Sequence, residues 1–244
     1  MPEETTCRVA VIICAGTEWR AVCAGLPAID LQTSPLGEWF ITDLGIGERP
    51  EPVLFFHTGW GKISAAASTQ YVIDRWSPPF LFNLGTCGGF EGEVERGTVI
   101  LAERTIVYDI VNQIGDYKSA IAHYTTDIDL SWLGECYPQG VCRSLLVSGD
   151  RDLLAKDVPR LKAQFGAVAG DWESGAIAYV AARNSVKCLI LRGVTDLVGS
   201  GGGEAYGDYQ LYAENTQKIM AQLMQLLPAL VAQAVGQLKL DDRT

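Results

Sequence analysis

Three acidic residues each follow an apolar, β-branched run of the 244-residue chain. Glu18 lies in CAGTEWRAV, Glu173 in GDWESGAIAYVAARN and Asp196 in LILRGVTDLVG. Ligands of α/β sheets gather outside the carboxyl ends of the strands, where such residues stand. Positioned carboxylates act as general acids and bases. The spacing therefore predicts one site at which carboxylates from distant points of the chain perform acid–base chemistry.

Arg192 gives the strongest indication of function, because it interrupts a strand that is otherwise apolar. An unpaired buried charge is very costly, so this arginine needs a partner or an anion. Glu18 and Glu173 also fit an ordinary structural role, because the positive end of a helix dipole favours an acidic first turn.

The segment FNLGTCGGF follows another apolar run and places Thr86, Cys87 and Gly88 at the same predicted edge of the sheet. Glycines let the backbone approach a ligand closely, and the threonine adds a hydroxyl group. The spacing is neither that of a dinucleotide fingerprint nor that of a phosphate-binding loop. HTGWGK is interpreted as a strand-to-helix turn, without a catalytic role for Lys62.

Strand and helix patterns alternate along the chain, which predicts a single α/β domain over residues 1–244. We expect a three-layer αβα sandwich around a mixed, mostly parallel central sheet. Region 109–140 has no clear period and is expected to be a long loop, and Pro228 is expected to end or kink a terminal helix. The runs that predict strands are 8–14, 53–57, 79–84, 97–103, 144–148 and 187–194, and those that predict helices are 62–76, 152–165, 173–184 and about 209–240.

The composition favours small-molecule partners. A formal charge of −10 repels nucleic-acid phosphates and anionic membranes. Seven cysteines without CxxC spacing indicate a reduced, cytoplasmic protein. Two histidines give little support to a His-based metal site or a Ser-His-Asp triad. The acidic N-terminus is not that of a signal peptide.

The chain resembles the nucleoside phosphorylase/nucleosidase superfamily in the order and separation of five segments. These segments are GWGKISAA, NLGTCGG, SGDRDLL, DWESGAIAYVA and LRGVTDLVG. The ensemble is most similar to the 5′-methylthioadenosine/S-adenosylhomocysteine nucleosidases. The resemblance spans nearly the whole chain, and it implies hydrolysis of a purine nucleoside without a metal or organic cofactor.

The resemblance also implies separate tasks for the carboxylates. Asp196 is expected to protonate the purine at N7, and Glu173 to hold the ribose hydroxyls. Glu18 is expected to activate the attacking water, with Thr86 and Arg192 near the same water. The scheme parallels inverting glycoside hydrolysis, in which two carboxyl groups leave room for water.

Two departures from the family pattern bear on the substrate. Trp172 stands where these nucleosidases usually have methionine, so we expect a bulkier floor beneath the ribose. Asp152 occupies the slot of a purine-stacking phenylalanine, beside the apolar Leu153. A futalosine-type or other purine nucleoside therefore stays open as the substrate.

Two alternative functions remain at this point. A nucleoside phosphorylase would use Thr86, Arg20 and Arg192 on phosphate, but Glu18 would repel that anion and the Gly-Asp-Pro segment usual in phosphorylases is missing. A non-catalytic nucleoside-binding protein is the other alternative, because fold does not fix function. A homodimer is also expected, since the resemblance implies that a neighbouring subunit closes the 5′ end of the pocket.

Overall fold

The structure is a computed structural model that describes residues 7–27, 29–46, 49–134, 138 and 140–241. The strands in these ranges are β1 (Val9–Ile13), β2 (Gln32–Ser34), β3 (Gly37–Ile46), β4 (Arg49–His57), β5 (Phe80–Phe90), β6 (Val99–Val107), β7 (Thr125–Asp127), β8 (Val141–Ser148), β9 (Ala169–Asp171), β10 (Lys187–Gly199) and β11 (Gly202–Gly203). The helices are α1 (Gly16–Gly25), α2 (Lys62–Trp76), α3 (Tyr117–His123), α4 (Val158–Phe165), α5 (Ser174–Arg183) and α6 (Tyr209–Asp241), with a 3₁₀ turn at Ser131–Leu133.

One mixed sheet organises the described chain. Strands β4, β1, β5 and β10 pair side by side in parallel, as do β6, β8 and β9. Antiparallel pairing joins β10 to β6 and β9 to β5, so strands β5, β10, β6, β8 and β9 form a closed circuit. The carboxyl ends of β1, β5 and β10 consequently lie together, where the predicted site residues stand.

Helices cover both faces of the sheet, which confirms the predicted three-layer αβα architecture. Alternate residues of β1, β5 and β10 point to opposite faces, because the side-chain period of a strand is two. Val11, Phe82 and Leu189 pack in the core against α1 and α6. Ile12 and Ile190 pack in a second core against α2 and α5. Such central strands are buried on both faces and read as continuous apolar runs.

Strand β5 extends further than its apolar run predicted. The glycine-rich segment was expected to follow the strand, but β5 continues to Phe90, in register with β10. Glycine is tolerated there because neighbouring side chains occupy the space that a Cβ would fill. The guanidinium of Arg192 takes that space at Gly85, and Val94 and Val194 take it at Gly89.

Three other sequence predictions need correction. The helix expected from residue 152 begins only at Val158, with Pro159 in its first turn, where the missing N–H of proline costs no helical hydrogen bond. Region 109–140 contains α3, β7 and the 3₁₀ turn, although residues 135–137 and 139 lie outside the described part. Of the two outcomes expected at Pro228, an end or a kink, the first does not occur, because α6 continues past the proline and packs against the sheet.

Helix α6 is apolar for a reason that the core explains. Its span Tyr209–Lys239 has the length and mean hydropathy, 1.5, of a membrane-crossing helix, the one such candidate in the described ranges. Met220, Leu223 and Leu227 are fully buried in the core against the sheet. These apolar positions are therefore accounted for by packing within the fold.

The packing of α6 on β10 is tight enough to test. A Cβ at Gly193 would lie 2.2 Å from Cγ2 of Ile219, so we expect Gly193→Ala to lower the free energy of unfolding by ~1–3 kcal/mol through overpacking. The control is Gly236→Ala in α6, the helix that carries Ile219, because nothing lies within 4 Å of the added carbon there. That change should raise stability by up to ~1 kcal/mol, because alanine is the better helix former. Urea denaturation measures both, and an unchanged Gly193→Ala protein would contradict the packing.

Candidate active site

A cavity of about 640 Å³ opens at the carboxyl ends of β1, β5 and β10. Nine of the ten residues predicted from the sequence line it: Glu18, Thr86, Cys87, Gly88, Asp152, Leu153, Trp172, Glu173 and Asp196. Arg192 is the exception. The remaining lining residues are Ala15, Trp60, Arg151, Gly170, Asp171, Thr195, Ala205, Tyr206, Gly207, Tyr209 and Tyr212.

Glu18 lies in the first turn of α1, and its buried carboxylate joins that helix to β5. Its Oε1 accepts hydrogen bonds from the Thr86 backbone N–H at 2.6 Å and from the Thr86 hydroxyl at 2.8 Å. Its Oε2 accepts from the backbone N–H of Ala15 at 3.0 Å. Three donors therefore fix this carboxylate in one orientation at the cavity wall.

Arg192 is fully buried behind the wall of the cavity, where it is surrounded by acceptors. Its Nε lies 2.7 Å from Oδ2 of Asp171 and donates to the Ser174 hydroxyl at 2.9 Å. Its Nη2 donates to Oδ1 of Asn83 at 2.7 Å and lies 3.9 Å from Oε2 of Glu173. Burial opposes the charged form, but the neighbouring carboxylates outweigh it and raise the pKa.

The sequence interpretation placed Arg192 near the substrate and the attacking water, and that contact stays a prediction. The guanidinium is enclosed because Gly85 leaves room for it, and it faces Asp171 and Glu173 instead of the open cavity. Its Nη1 has no hydrogen-bond partner in the described part of the chain. Arg192 thus acts as an internal counter-charge for the carboxylates that form the wall.

Asp171 is a charged residue of the cavity wall that the sequence analysis missed. It ends β9, and its carboxylate accepts from the hydroxyls of Ser148, at 2.6 Å, and Ser174 as well as from Arg192. The Ser148 hydroxyl in turn accepts from the backbone N–H of Gly175 at 2.8 Å. The signal was present, because a buried arginine requires a carboxylate and Asp171 precedes Glu173 by two residues.

Glu173 stands at the start of α5, as the sequence predicted, but its side chain makes no cap hydrogen bond and reaches across the cavity wall instead. Its Oε1 accepts from the backbone N–H of Gly61 at 2.9 Å. Burial raises the pKa of this carboxyl to about 8, although Arg192 opposes the shift. Glu173 consequently changes its protonation state close to neutral pH.

Asp196 lies in a bulge of β10, where the register with β5 shifts between Val194 and Asp196. Bulges redirect side chains next to functional sites, and this one turns the carboxyl into the cavity. Its Oδ1 accepts from the Thr195 hydroxyl at 2.8 Å. Burial raises the pKa of Asp196, so the carboxyl holds a proton at higher pH than an exposed aspartate does.

The wall near Asp196 combines apolar and polar groups. Leu153 is buried beside Gly88, where a Cβ would approach it to 3.2 Å, and its carbonyl accepts from the Tyr206 hydroxyl at 2.8 Å. Cys87 is buried there with its thiol pKa raised by burial, so it stays protonated. Asp152 is exposed to the cavity.

Aromatic side chains form much of the remaining wall, and most of them were not predicted. Trp60 stacks edge-on against Trp172, with ring centroids 5.5 Å apart. Tyr206 enters from the turn after β11, and Tyr209 and Tyr212 enter from the start of α6. The spacing YGDYQLY carries no recognisable motif, so only the fold reveals that these rings meet the cavity.

The raised pKa of Glu173 predicts a pH-dependent stability. Between the pKa of the unfolded chain, near 4.5, and about 8, the folded protein binds more protons, so its stability falls as pH rises. Glu173→Gln removes this titration. We expect the variant to gain stability relative to the wild type from pH 5 to pH 8, measured by denaturant unfolding. The exposed control Glu95→Gln should show no such trend. If the stability of Glu173→Gln ran parallel to that of the wild type over this pH range, the raised pKa of Glu173 would be contradicted.

The chain is similar in sequence to known nucleosidases. The 5′-methylthioadenosine/S-adenosylhomocysteine nucleosidase of Marinomonas sp. is 24% identical over 184 residues, which cover 70% of this chain and 80% of that protein. The Thermotoga maritima protein of the same name is 30% identical over 140 residues, covering 57% and 63%.

Solved structures show the same fold. The Streptococcus pneumoniae MTA/SAH nucleosidase in complex with 8-aminoadenine superposes with a TM-score of 0.75 at 18% identity, covering 93% of this chain and 99% of that one. The Arabidopsis thaliana 5′-methylthioadenosine nucleosidase gives 0.74 at 20% identity, covering 92% and 96%. The family model described as the Phosphorylase superfamily matches residues 46–232, most of the chain, and the protein therefore belongs to that superfamily.

Proposed function

We propose that the protein hydrolyses the N-glycosidic bond of a purine nucleoside, of the 5′-methylthioadenosine or S-adenosylhomocysteine type. The observation that carries the proposal is the meeting of Glu18, Glu173 and Asp196 around one cavity. These carboxyl groups have different partners, which suits them to different tasks. The names of the relatives support the same reaction.

Asp196 is the general acid. Because burial raises its pKa, the carboxyl is prepared to hold a proton and deliver it to N7 of the purine. Thr195 donates to Oδ1 and thereby fixes the orientation of the carboxyl at the cavity. Protonation of the base makes it a better leaving group as the glycosidic bond breaks.

Glu173 holds the ribose hydroxyls and, in its ionised form, stabilises positive charge on the sugar in the transition state. Its Oε1 is already bound by the Gly61 amide, which fixes the side chain against the wall. Trp172 beside it supplies an apolar surface for the ribose.

Glu18 orients and deprotonates the attacking water. Thr86 and Ala15 hold its carboxylate, so the base is positioned before substrate enters. The same contacts argue against phosphorolysis, because Glu18 already uses the two Thr86 donors that a phosphate would need. Arg20, proposed for phosphate, is exposed and donates to Thr17 and Tyr209.

The aromatic wall supports a substrate with an apolar 5′ substituent. Trp60, Trp172 and Tyr209 offer ring surface at the cavity, where a methylthio or thioether group can bury its apolar area. A futalosine-type nucleoside is the alternative that Asp152 and Trp172 leave open.

Asp196→Asn tests the proposed acid. Asparagine keeps the volume and the acceptor for Thr195, but an amide cannot transfer the proton to N7. We expect turnover of methylthioadenosine to fall at least ~10²-fold with little change in thermal stability. Release of adenine measured by absorbance provides the readout. Near-normal turnover by a folded Asn variant would sink this assignment.

A homodimer is proposed as the working form. Three apolar side chains are exposed, with 67% of the cavity-lining Trp60, 84% of Ile63 and 74% of Val111 accessible. Lys62 pairs with Asp109 and thereby ties the segments that carry them into one surface. Exposed apolar patches mark interaction sites. A second copy on this surface would cover the rim next to Trp60.

Ile63→Glu tests the dimer, because a charge in an apolar interface opposes association. We expect sedimentation at micromolar concentration to show monomer for this variant and dimer for the wild type, with a higher KM in the monomer. Leu31→Glu is the matched control: Leu31 is 43% exposed and lies before the edge strand β2. A fully active monomeric wild type would overturn the proposal.

A further inference from the structure

Three charged side chains meet at the rim of the cavity, outside the groups assigned to the reaction. Lys62 begins α2, Asp109 follows β6 and Asp150 follows β8. The Lys62 ammonium pairs with Oδ1 of Asp109 and lies 3.7 Å from Oδ2 of Asp150. The Lys62 backbone N–H donates to Oδ1 of Asp150 at 2.7 Å, and the Asp150 N–H donates to Oδ2 of Asp109 at 2.9 Å.

These contacts close a loop of interactions between three separate segments. Each of the three residues contacts both of the others, and the lysine and Asp109 side chains are mostly buried, at 18% exposure each. Ion pairs that are part of a partly buried network are screened less by solvent than isolated surface pairs. The three residues, named the rim clasp below, therefore restrain the start of α2.

The segment just before Lys62 is the one that needs restraint. Gly59 and Gly61 flank Trp60 and have φ angles of 74° and 90°, in the region that favours glycine. Glycine has the widest conformational freedom of any residue, so such a turn does not hold one shape by itself. Yet the Gly61 N–H must point at Oε1 of Glu173 to make its 2.9 Å hydrogen bond.

We propose that the rim clasp of Lys62, Asp109 and Asp150 positions the Gly61 amide against Glu173, which makes Lys62 a positioning residue for the ribose-binding carboxylate. The proposal rests on the role given to Glu173 above. It also assigns a task to Lys62, for which the sequence offered only a strand-to-helix turn.

The chemical consequence follows from the charges around Glu173. Asp171 of β9 and Glu18 of α1 disfavour its ionised form, as does burial, whereas Arg192 of β10 and the Gly61 amide favour it. Cys14 and Tyr212 also face this carboxyl. Loss of the Gly61 hydrogen bond raises the pKa of Glu173, so less of the enzyme is ionised at neutral pH.

The test uses the Lys62→Met variant of the full chain. We expect the limb of the kcat/KM profile that reports ionisation of Glu173 to move toward higher pH. If the pKa of Glu173 rises by one, kcat/KM of the variant falls about tenfold at pH 6.5 and recovers near pH 9. Lys62→Arg keeps the charge and should restore most of the wild-type profile. Arg104→Gln, which removes an exposed ion pair with Asp127, should leave the profile unchanged.

A second measurement separates this inference from the proposed function. Difference infrared spectra of ligand-free protein, with Glu173→Gln as reference, report the titration of the Glu173 carboxyl without any turnover. Lys62→Met and Asp109→Asn should both raise that pKa, and the asparagine variant keeps an acceptor if the methionine variant fails to fold. An unchanged titration in the folded variants overturns the rim clasp. Absence of base release by the wild type overturns the proposed function alone.

Discussion

The arrangement of the site depends on one buried charge, the guanidinium of Arg192. A cation in the core is tolerated only when carboxylates and neutral acceptors surround it, and Asp171, Asn83 and Glu173 fill those positions. The contacts of the arginine thereby hold the end of β9 and the start of α5 against β10. Removing either the cation or Asp171 leaves an uncompensated charge, a loss that typically costs ~3–5 kcal/mol in buried pairs.

The same constraint differentiates the carboxyl groups. Glu18 receives hydrogen bonds from Thr86 and Ala15, while Glu173 is buried near other carboxylates and has a pKa of about 8. Asp196 lies in the bulge of β10, with a pKa raised by burial. Distinct surroundings thus divide proton donation, sugar binding and water activation among residues of one chemical type.

Sequence patterns predicted much of the fold, since buried parallel strands are continuous apolar runs and α2 and α5 have regular periods. They also brought Glu18, Glu173 and Asp196 to one sheet edge. They predicted that Arg192 needs a partner but could not name Asp171 and Asn83, because these acceptors come from other strands of the sheet. Local propensity was also silent on Asp171, on the tyrosines of α6 and on α3, whose places are set by tertiary contacts.

The identity of the sugar product tests the central claim most directly. The enzyme is incubated with methylthioadenosine in buffer with and without inorganic phosphate, and the products are identified by mass spectrometry. If Glu18 activates water at this site, free adenine and free methylthioribose form at a rate independent of phosphate. A methylthioribose 1-phosphate that forms only when phosphate is present would contradict hydrolysis and the role assigned to Glu18.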